Sequence, residues 1–141
     1  MKYIVMSEPF MNGDGNLLAR LFENLISNAV KYGKEGKIVH VYARLEEQVV
    51  TISVVNYGYV ISKEDLAHIF DKFYRVDQSR TSSTGGTGLG LAIAKNIVEL
   101  HGGIMEARSD LDGTVFEVRL RTDFDINREN YGNVVSEESY E

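Results

Sequence analysis

The sequence predicts an α+β fold, a two-layer sandwich in which helices cover one face of a mixed, mainly antiparallel sheet. Two observations lead to this class. Stretches that alternate apolar and polar residues come in adjacent pairs joined by short polar turns, as antiparallel hairpins do. Segments with apolar residues at helical spacing precede and separate these pairs, in the order helix, two strands, helix, loop, helix, two strands.

The first helix is expected over residues 16–32, where seven apolar side chains recur at helical spacing. The segment from Ser62 to Asp65 resembles a capping box and predicts the start of a short helix. Two glycines after His101 are expected to end the last helix. The other expected bounds are strands over 37–44 and 48–56, the short helix to Phe70, a loop over 74–90, a helix over 91–100, and strands over 104–108 and 114–121.

The composition is that of a soluble globular domain. Apolar residues make up 43% of the chain and charged residues 26%, and the lack of cysteine excludes disulfides and thiolate metal sites. No apolar run approaches the roughly 18 residues of a membrane span, so a cytoplasmic domain is expected. Residues 123–141 carry six acids and one base without periodicity. We therefore expect a folded domain over 1–122 and an acidic, mobile tail over 123–141.

Glycines at 85, 86, 88 and 90 lie in the long loop and lead directly into a helix. Backbone amides without a Cβ approach an anion closely, and a helix N-terminus adds a positive dipole. The spacing matches neither the dinucleotide fingerprint nor the P-loop. A loop of this length inside a compact domain is typical of a lid or a binding loop. Phosphate binding and a flexible hinge both remain open at this point.

Asn24, Asn28 and Lys31 fall within about 60° of one another on the first helix, bordering its apolar face. Asparagine is a poor residue for the middle of a helix, so two of them at this spacing call for an explanation. An amide oxygen suits Mg²⁺, and a lysine can neutralise the phosphates around it. The alternative is two solvated amides on a helix face.

Two further segments carry candidate chemistry. Asn56 ends a strand two residues before Gly58, where a polar side chain can receive the edge of a base or simply form a β-turn. Aromatic residues from Phe70 onward precede Arg75 and Arg80, which suit a terminal phosphate unless the aromatic side chains only fill the core. The three histidines are scattered and form no ligand cluster. We expect His101 to be a cation at a helix end.

The order and spacing of these segments resemble one family, the catalytic ATP-binding domain of sensor histidine kinases. This domain has the Bergerat fold of the GHKL superfamily, shared with gyrase, Hsp90 and MutL. The resemblance runs from Gly13 to Leu120. Residues 24–32 are similar to the N box, 70–75 to the F box, 86–91 to the second glycine box and 113–116 to the terminal strand signature.

The resemblance implies roles at the phosphate end of the site. Asn28 would coordinate Mg²⁺, and Asn24 would support the phosphates. Lys31 would contact a phosphate, while Arg75 and Arg80 would face the γ-phosphate from the lid. Related ATPases carry a glutamate at the position of Asn24 as the general base for water. Asparagine cannot accept a proton at neutral pH, so transfer to another side chain is favoured over hydrolysis.

The resemblance also implies which residues bind the rest of the ATP. The adenine position usually holds an aspartate, so Asn56 replaces a charge-assisted hydrogen bond by a neutral one, about 1 kcal/mol weaker. Val60 replaces a usual glycine. Asn56 and the segment 80–87 are similar to kinases that sense vancomycin-type antibiotics. The implied nucleotide-binding residues are Tyr32, Asn56, Gly58, Ile61, Tyr74, Gly86, Thr87, Gly88, Leu89, Gly90 and Leu91.

The family implies that the acceptor histidine lies on a separate dimerisation segment, which passes the phosphoryl group to a response regulator. No histidine precedes His40, and Pro9 is the one proline. The chain alone is therefore expected to bind Mg·ATP without phosphorylating itself. It is expected to be the cytosolic part of a membrane-bound sensor kinase, with no nucleic-acid partner and no membrane contact of its own. The alternatives are a nucleotide-binding domain without kinase activity and a GHKL ATPase.

Overall fold

A computed structural model describes residues 13–33, 38–76 and 88–124, and it confirms the α+β class. No helix in these ranges is long and apolar enough to cross a membrane. The elements follow the predicted order: α1 (Gly15–Tyr32), β1 (Val39–Glu46), β2 (Val49–Asn56), α2 (Lys63–Leu66), α3 (Gly90–Leu100), β3 (Ile104–Asp110) and β4 (Gly113–Arg121).

The four described strands form one sheet in the order β1-β2-β4-β3, and every pairing is antiparallel. Residues directly opposite each other point to the same face of a sheet. Val54 is opposite Phe116, and both are fully buried under the helices. Asn56 and Thr114 form the last pair of the same register, so their side chains share the helix-covered face at its edge.

Helices α1 and α3 pack side by side on this face. Leu21, Leu25 and Ala29 form a fully buried stripe on α1, and Ala94 and Val98 form its counterpart on α3. Side chains four residues apart share one helix face, so these stripes bury a core against the sheet. The functional residues predicted on α1 lie beside this stripe.

The short helix begins as predicted and ends earlier. The Ser62 hydroxyl accepts a hydrogen bond from the backbone N–H of Asp65 at 3.1 Å, which confirms the capping interaction. The helix was expected to reach Phe70 but ends at Leu66. Beyond it the backbone turns through tighter bonds, such as the N–H of Asp71 to the carbonyl of His68 at 2.9 Å.

His101 corrects the expectation of a cation at a helix end. Its side chain is fully buried, and its Nδ1 lies 2.8 Å from the carbonyl oxygen of Ile97. The backbone N–H of Asp14 donates to Nε2 at 3.1 Å. A nitrogen that accepts a hydrogen bond carries no proton, so the ring is neutral with its proton on Nδ1. His101 thus joins the end of α3 to the start of α1.

Candidate functional site

Asn24 lies on α1 where the first turn of α3 comes closest. A Cβ built on Gly90 would be 3.5 Å from the Asn24 Oδ1 atom, so the two helices meet here in van der Waals contact. The Nδ2 of Asn24 is buried and has no hydrogen-bond partner among the described residues. An unsatisfied buried donor costs about 1–3 kcal/mol, and a ligand oxygen at this position would remove that cost.

Lys31 and Arg75 bring two cations close to each other beside Tyr32. Both side chains are partly buried, and the Lys31 ammonium lies 5.4 Å from the centre of the Tyr32 ring. Burial lowers the pKa of Lys31, and the charge of Arg75 lowers that pKa further. Two cations gathered in a partly desolvated position favour an anion beside them. Asn28 lies on the same helix face, between Asn24 and Lys31.

The start of α3 has the properties of an anion site. Leu89 caps the helix without a side-chain hydrogen bond, and the first turn contains no acidic residue. No described side chain caps the backbone amides there, and the helix dipole favours an anion at this position. Gly90 and Leu91 form this first turn and are partly buried.

Gly88 and Phe73 form a joint at the two described ends of the predicted lid. The backbone N–H of Phe73 donates to the carbonyl oxygen of Gly88 at 2.9 Å. Both residues have left-handed backbones, with φ of 67° at Phe73 and 76° at Gly88. A Cβ on Gly88 would lie 2.8 Å from the backbone carbons of Phe73. Only glycine is compatible with this contact.

Asn56 lies at the opposite end of the site. Its side chain is only 1% exposed, and neither Oδ1 nor Nδ2 has a hydrogen-bond partner among the described residues. The C-cap of α1 approaches it closely, because a Cβ on Gly33 would be 2.9 Å from the Asn56 Cβ. A buried amide with neither atom paired among the described residues is unusual, and a ligand or a water molecule that offers both a donor and an acceptor would satisfy it.

A chain of hydrogen bonds holds the loop that follows Asn56. The N–H of Ile61 donates to the Ser109 hydroxyl at 2.9 Å, and the Thr114 hydroxyl donates to the carbonyl of Tyr59 at 3.2 Å. The two hydroxyl oxygens are 2.6 Å apart. Because the one hydroxyl proton of Thr114 is donated to the carbonyl of Tyr59, the Ser109 hydroxyl must be the donor to Thr114. The backbone of this loop is therefore fixed to β3 and β4.

Sequence analysis missed Ser109 and Thr114. The signal available was that both are polar residues at inward-facing positions of a hairpin that is otherwise apolar on that face. Their partners lie 48 and 55 residues away in the chain, so the pattern alone does not identify them.

The aromatic candidates divide between the two ends. The Tyr32 and Tyr59 rings are 6.1 Å apart between centroids, beside the loop after Asn56. The Tyr74 hydroxyl instead donates to the Asp65 carboxylate in α2, which raises the pKa of Tyr74 to about 12. This tyrosine therefore anchors the segment that carries Arg75.

The remaining candidates are placed as follows. Gly58 is an exposed turn residue with φ of 115°, and Ile61 is buried in the core. Arg80, Gly86 and Thr87 lie outside the described residues. Within those residues no group of three or more histidine, cysteine, aspartate or glutamate side chains is placed to hold a metal. A divalent cation here would need amide and phosphate oxygens as ligands.

Comparisons with known proteins agree with this geometry. Residues 13–123 match the family described as histidine kinase-, DNA gyrase B-, and HSP90-like ATPase. The chain is 47% identical to sensor protein VanS of Enterococcus faecium over 110 residues, which are 78% of this chain and 28% of that protein. It is 47% identical to sensor histidine kinase WalK of Bacillus subtilis over 98 residues, 68% of this chain and 16% of that protein.

Solved structures show the same fold. The mycobacterial sensor histidine kinase MprB superposes with a TM-score of 0.71 at 27% identity, over 85% of this chain and 80% of that chain. The nucleotide-free catalytic domain of histidine kinase ThkA superposes with a TM-score of 0.70 at 24% identity, over 85% of this chain and 76% of that one. The chain spans less than a third of the length of VanS and WalK.

Proposed function

The chain belongs to the family of histidine kinase-, DNA gyrase B-, and HSP90-like ATPases, and from that premise we propose that it is the ATP-binding catalytic domain of a two-component sensor histidine kinase. It transfers the γ-phosphoryl group of ATP to a histidine on a separate dimerisation and phosphoacceptor segment, which passes it to a response regulator. In the full kinase this domain is the cytosolic part of a membrane-bound sensor.

The observation that carries the proposal is that two asparagine side chains have buried amide atoms without a hydrogen-bond partner among the described residues. Asn24 offers a donor beside the start of α3, and Asn56 offers a donor and an acceptor under the end of α1. We place the phosphates at Asn24 and extend them along α1 towards Lys31 and Arg75, which supply positive charge. We place the base at Asn56. Asn28, between Asn24 and Lys31 on α1, would hold Mg²⁺, which neutralises phosphate charge when bound.

Phosphoryl transfer depends mainly on positioning and charge stabilisation. The bond between the γ-phosphorus and the oxygen of ADP breaks, a bond from phosphorus to an imidazole nitrogen forms, and ADP leaves. Asn24 supports transfer to a side chain over transfer to water, because an amide cannot take a proton from water at neutral pH. Arg75 would stabilise the negative charge that develops on the transferred group.

The remaining sequence predictions belong to this proposal. Arg80, Gly86 and Thr87 would complete the phosphate end from the lid, and residues 123–141 would form a separate acidic tail. The similarity to sensor kinases of vancomycin-type resistance concerns the signal that the full protein senses. The prediction of a vancomycin-type signal therefore applies to the sensing segment and not to this domain.

The test is a transfer assay with labelled ATP, in which the chain is mixed with its own acceptor segment. We expect label on the acceptor only in the presence of magnesium, and none on the chain alone. Asn28→Ala is expected to abolish both the label and magnesium-dependent ATP binding. Asn96→Ala is the matched control, because Asn96 is an exposed residue of α3.

The outcomes separate the candidate functions. ATP binding without label on the acceptor would favour a nucleotide-binding domain without kinase activity, which the exchange of the usual aspartate for Asn56 would explain. Steady phosphate release without an acceptor would favour an ATPase. Full binding and transfer by Asn28→Ala would refute the role given to that residue.

A further inference from the structure

The amide of Asn56 is a buried group whose donor atom Nδ2 and acceptor atom Oδ1 have no hydrogen-bond partner among the described residues. We propose that Asn56 makes the base pocket tolerant of both classes of purine, the 6-aminopurines and the 6-oxopurines, so that the domain binds inosine and guanosine triphosphates as well as ATP. The inference rests on the proposed function, since it concerns the base end of that nucleotide site.

The position of Asn56 in the sheet holds its backbone on both sides, while its side-chain amide has no described partner. The side chain is 1% exposed, at the end of β2 and on the helix-covered face of the sheet. Its backbone is held in register by Val39 on one side and Thr114 on the other. A rigid backbone with an unpaired side chain is how a protein presents a recognition group at a fixed point.

The neighbouring polar groups are already committed elsewhere. The Thr114 hydroxyl is directly across the sheet, yet it donates to the carbonyl of Tyr59 and accepts from Ser109. Ser109 in turn accepts from the N–H of Ile61. With these protons assigned, neither hydroxyl has a proton left to donate to the Asn56 oxygen. No described group fixes the amide in either of the two orientations that differ by a half-turn.

The two orientations match the two classes of purine edge. A 6-aminopurine presents a donor on its amino group next to an acceptor at N1, which pair with Oδ1 and Nδ2. A 6-oxopurine presents the reverse pattern, an acceptor at O6 next to a donor at N1. A half-turn of the Asn56 amide exchanges Oδ1 and Nδ2, so both amide atoms are satisfied again. Either base thus gives both Asn56 amide atoms a hydrogen-bond partner.

A carboxylate at this position would not have this property. An ionised carboxylate accepts hydrogen bonds and donates none, so the oxygen that faces C6 accepts from a 6-amino group and repels O6; selectivity for adenine follows where this oxygen is the contact with the base. Asn56→Asp is therefore expected to convert a tolerant pocket into one selective for adenine. The expected loss for a 6-oxopurine is about 10- to 100-fold in affinity, the range for a buried acceptor left without a partner.

The experiment measures by calorimetry the dissociation constants of Mg·ATP and Mg·ITP. Inosine triphosphate is the probe for O6 and N1 alone, because it lacks the 2-amino group of guanosine triphosphate. That amino group is a further hydrogen-bond donor and would complicate the comparison. We expect the unaltered chain to bind ATP and ITP within about 10-fold of each other. Asn56→Asp is expected to raise the ratio of ATP affinity to ITP affinity by at least about 10-fold. Asn96→Asp, the same change at an exposed position, is the control.

The ratio of ITP to ATP affinity in the unaltered chain decides the question even if Asn56→Asp does not fold. ATP binding together with ITP binding more than about 100-fold weaker would overturn the inference and leave the proposed function in place. The same ITP to ATP ratio in the unaltered chain and in Asn56→Asp would overturn it too. Failure of both nucleotides to bind would overturn the proposed function itself, and the inference with it.

Discussion

Replacing Gly88 by alanine tests the joint at the ends of the predicted lid. The new Cβ would lie 2.8 Å from the backbone carbons of Phe73, and the residue would keep a φ of 76° that alanine disfavours. A left-handed backbone costs an L-residue about 1–2 kcal/mol. Opening the joint relieves this strain but breaks the hydrogen bond from Phe73 to Gly88, worth about 1 kcal/mol, so the two costs are alternatives. A closed joint in Gly88→Ala therefore carries about 1–2 kcal/mol of backbone strain, besides the close contact with Phe73.

Gly88→Ala is expected to weaken nucleotide binding and to change the free energy of unfolding only slightly. Phe73 is 68% exposed and Gly88 is outside the buried core, so the joint can open while the core stays folded. If the bound state needs a closed joint, about 1–2 kcal/mol weakens Mg·ATP binding by about 5- to 30-fold. Calorimetry at constant magnesium measures it.

Gly15→Ala is the matched control. Gly15 is the first residue of α1, and a Cβ there meets nothing within 4 Å. Alanine also favours the helix by up to about 1 kcal/mol relative to glycine. We expect unchanged Mg·ATP affinity and an equal or higher free energy of unfolding. If Gly88→Ala bound Mg·ATP as tightly as Gly15→Ala, the reasoning about the joint would be wrong.

Three further predictions concern other contacts. His101→Leu removes the acceptor of the Asp14 N–H and is expected to lower the free energy of unfolding in urea by about 2–3 kcal/mol. Ser109→Ala breaks the hydrogen-bond chain behind the base end and is expected to lower it by about 1–2 kcal/mol, with weaker Mg·ATP binding. The hydrogen bond to Asp65 raises the pKa of Tyr74 above its ordinary value of 10.0 to about 12. The bond therefore stabilises the fold below pH 10, and this stabilisation is lost as the pH rises from 10 to about 12. Tyr74→Phe is expected to remove the highest step of the phenolate absorbance titration.

Controls exist for these changes within the same chain. His68→Leu alters an exposed histidine that pairs with exposed Asp71 and lies 5.5 Å from the Tyr74 ring between centroids, so it is expected to change stability by less than about 1 kcal/mol. Ser27→Ala alters an exposed helix position and is expected to be neutral or slightly stabilising. Equal losses in His101→Leu and His68→Leu would contradict the role of His101, and a wild-type titration of Tyr74→Phe would contradict the assignment of the highest step.

Elements and their faces were predictable because they follow local rules. Apolar spacing located α1 to within one residue at its start, and the capping pattern at Ser62 located α2. The ends of α2 and the surroundings of His101 were not predictable in this way. Whether a histidine at a helix end is exposed depends on what packs over it, and here that is the start of α1, 87 residues earlier in the chain.

Local rules of the sequence predicted only part of the site. Asn24, Asn28 and Lys31 share one helix face, so helical spacing alone brings them together. The closeness of Lys31 and Arg75 followed from the family resemblance, since no local rule relates residues so far apart. The fully buried state of Asn56 and its lack of partners depend on α1 and on β4, which meet it only in the folded chain.

The hydrogen-bond chain through Ser109 and Thr114 is expected to divide the site into regions that open at different rates. Opening the loop after Asn56 requires three linked hydrogen bonds to break together, so the Ile61 amide is expected to exchange its hydrogen with the slow core. The Phe73 amide is held by one bond to Gly88 and exchanges faster. A nucleotide that reaches both ends couples the fast region to the slow one, and it is expected to slow exchange at Phe73 far more than at Ile61.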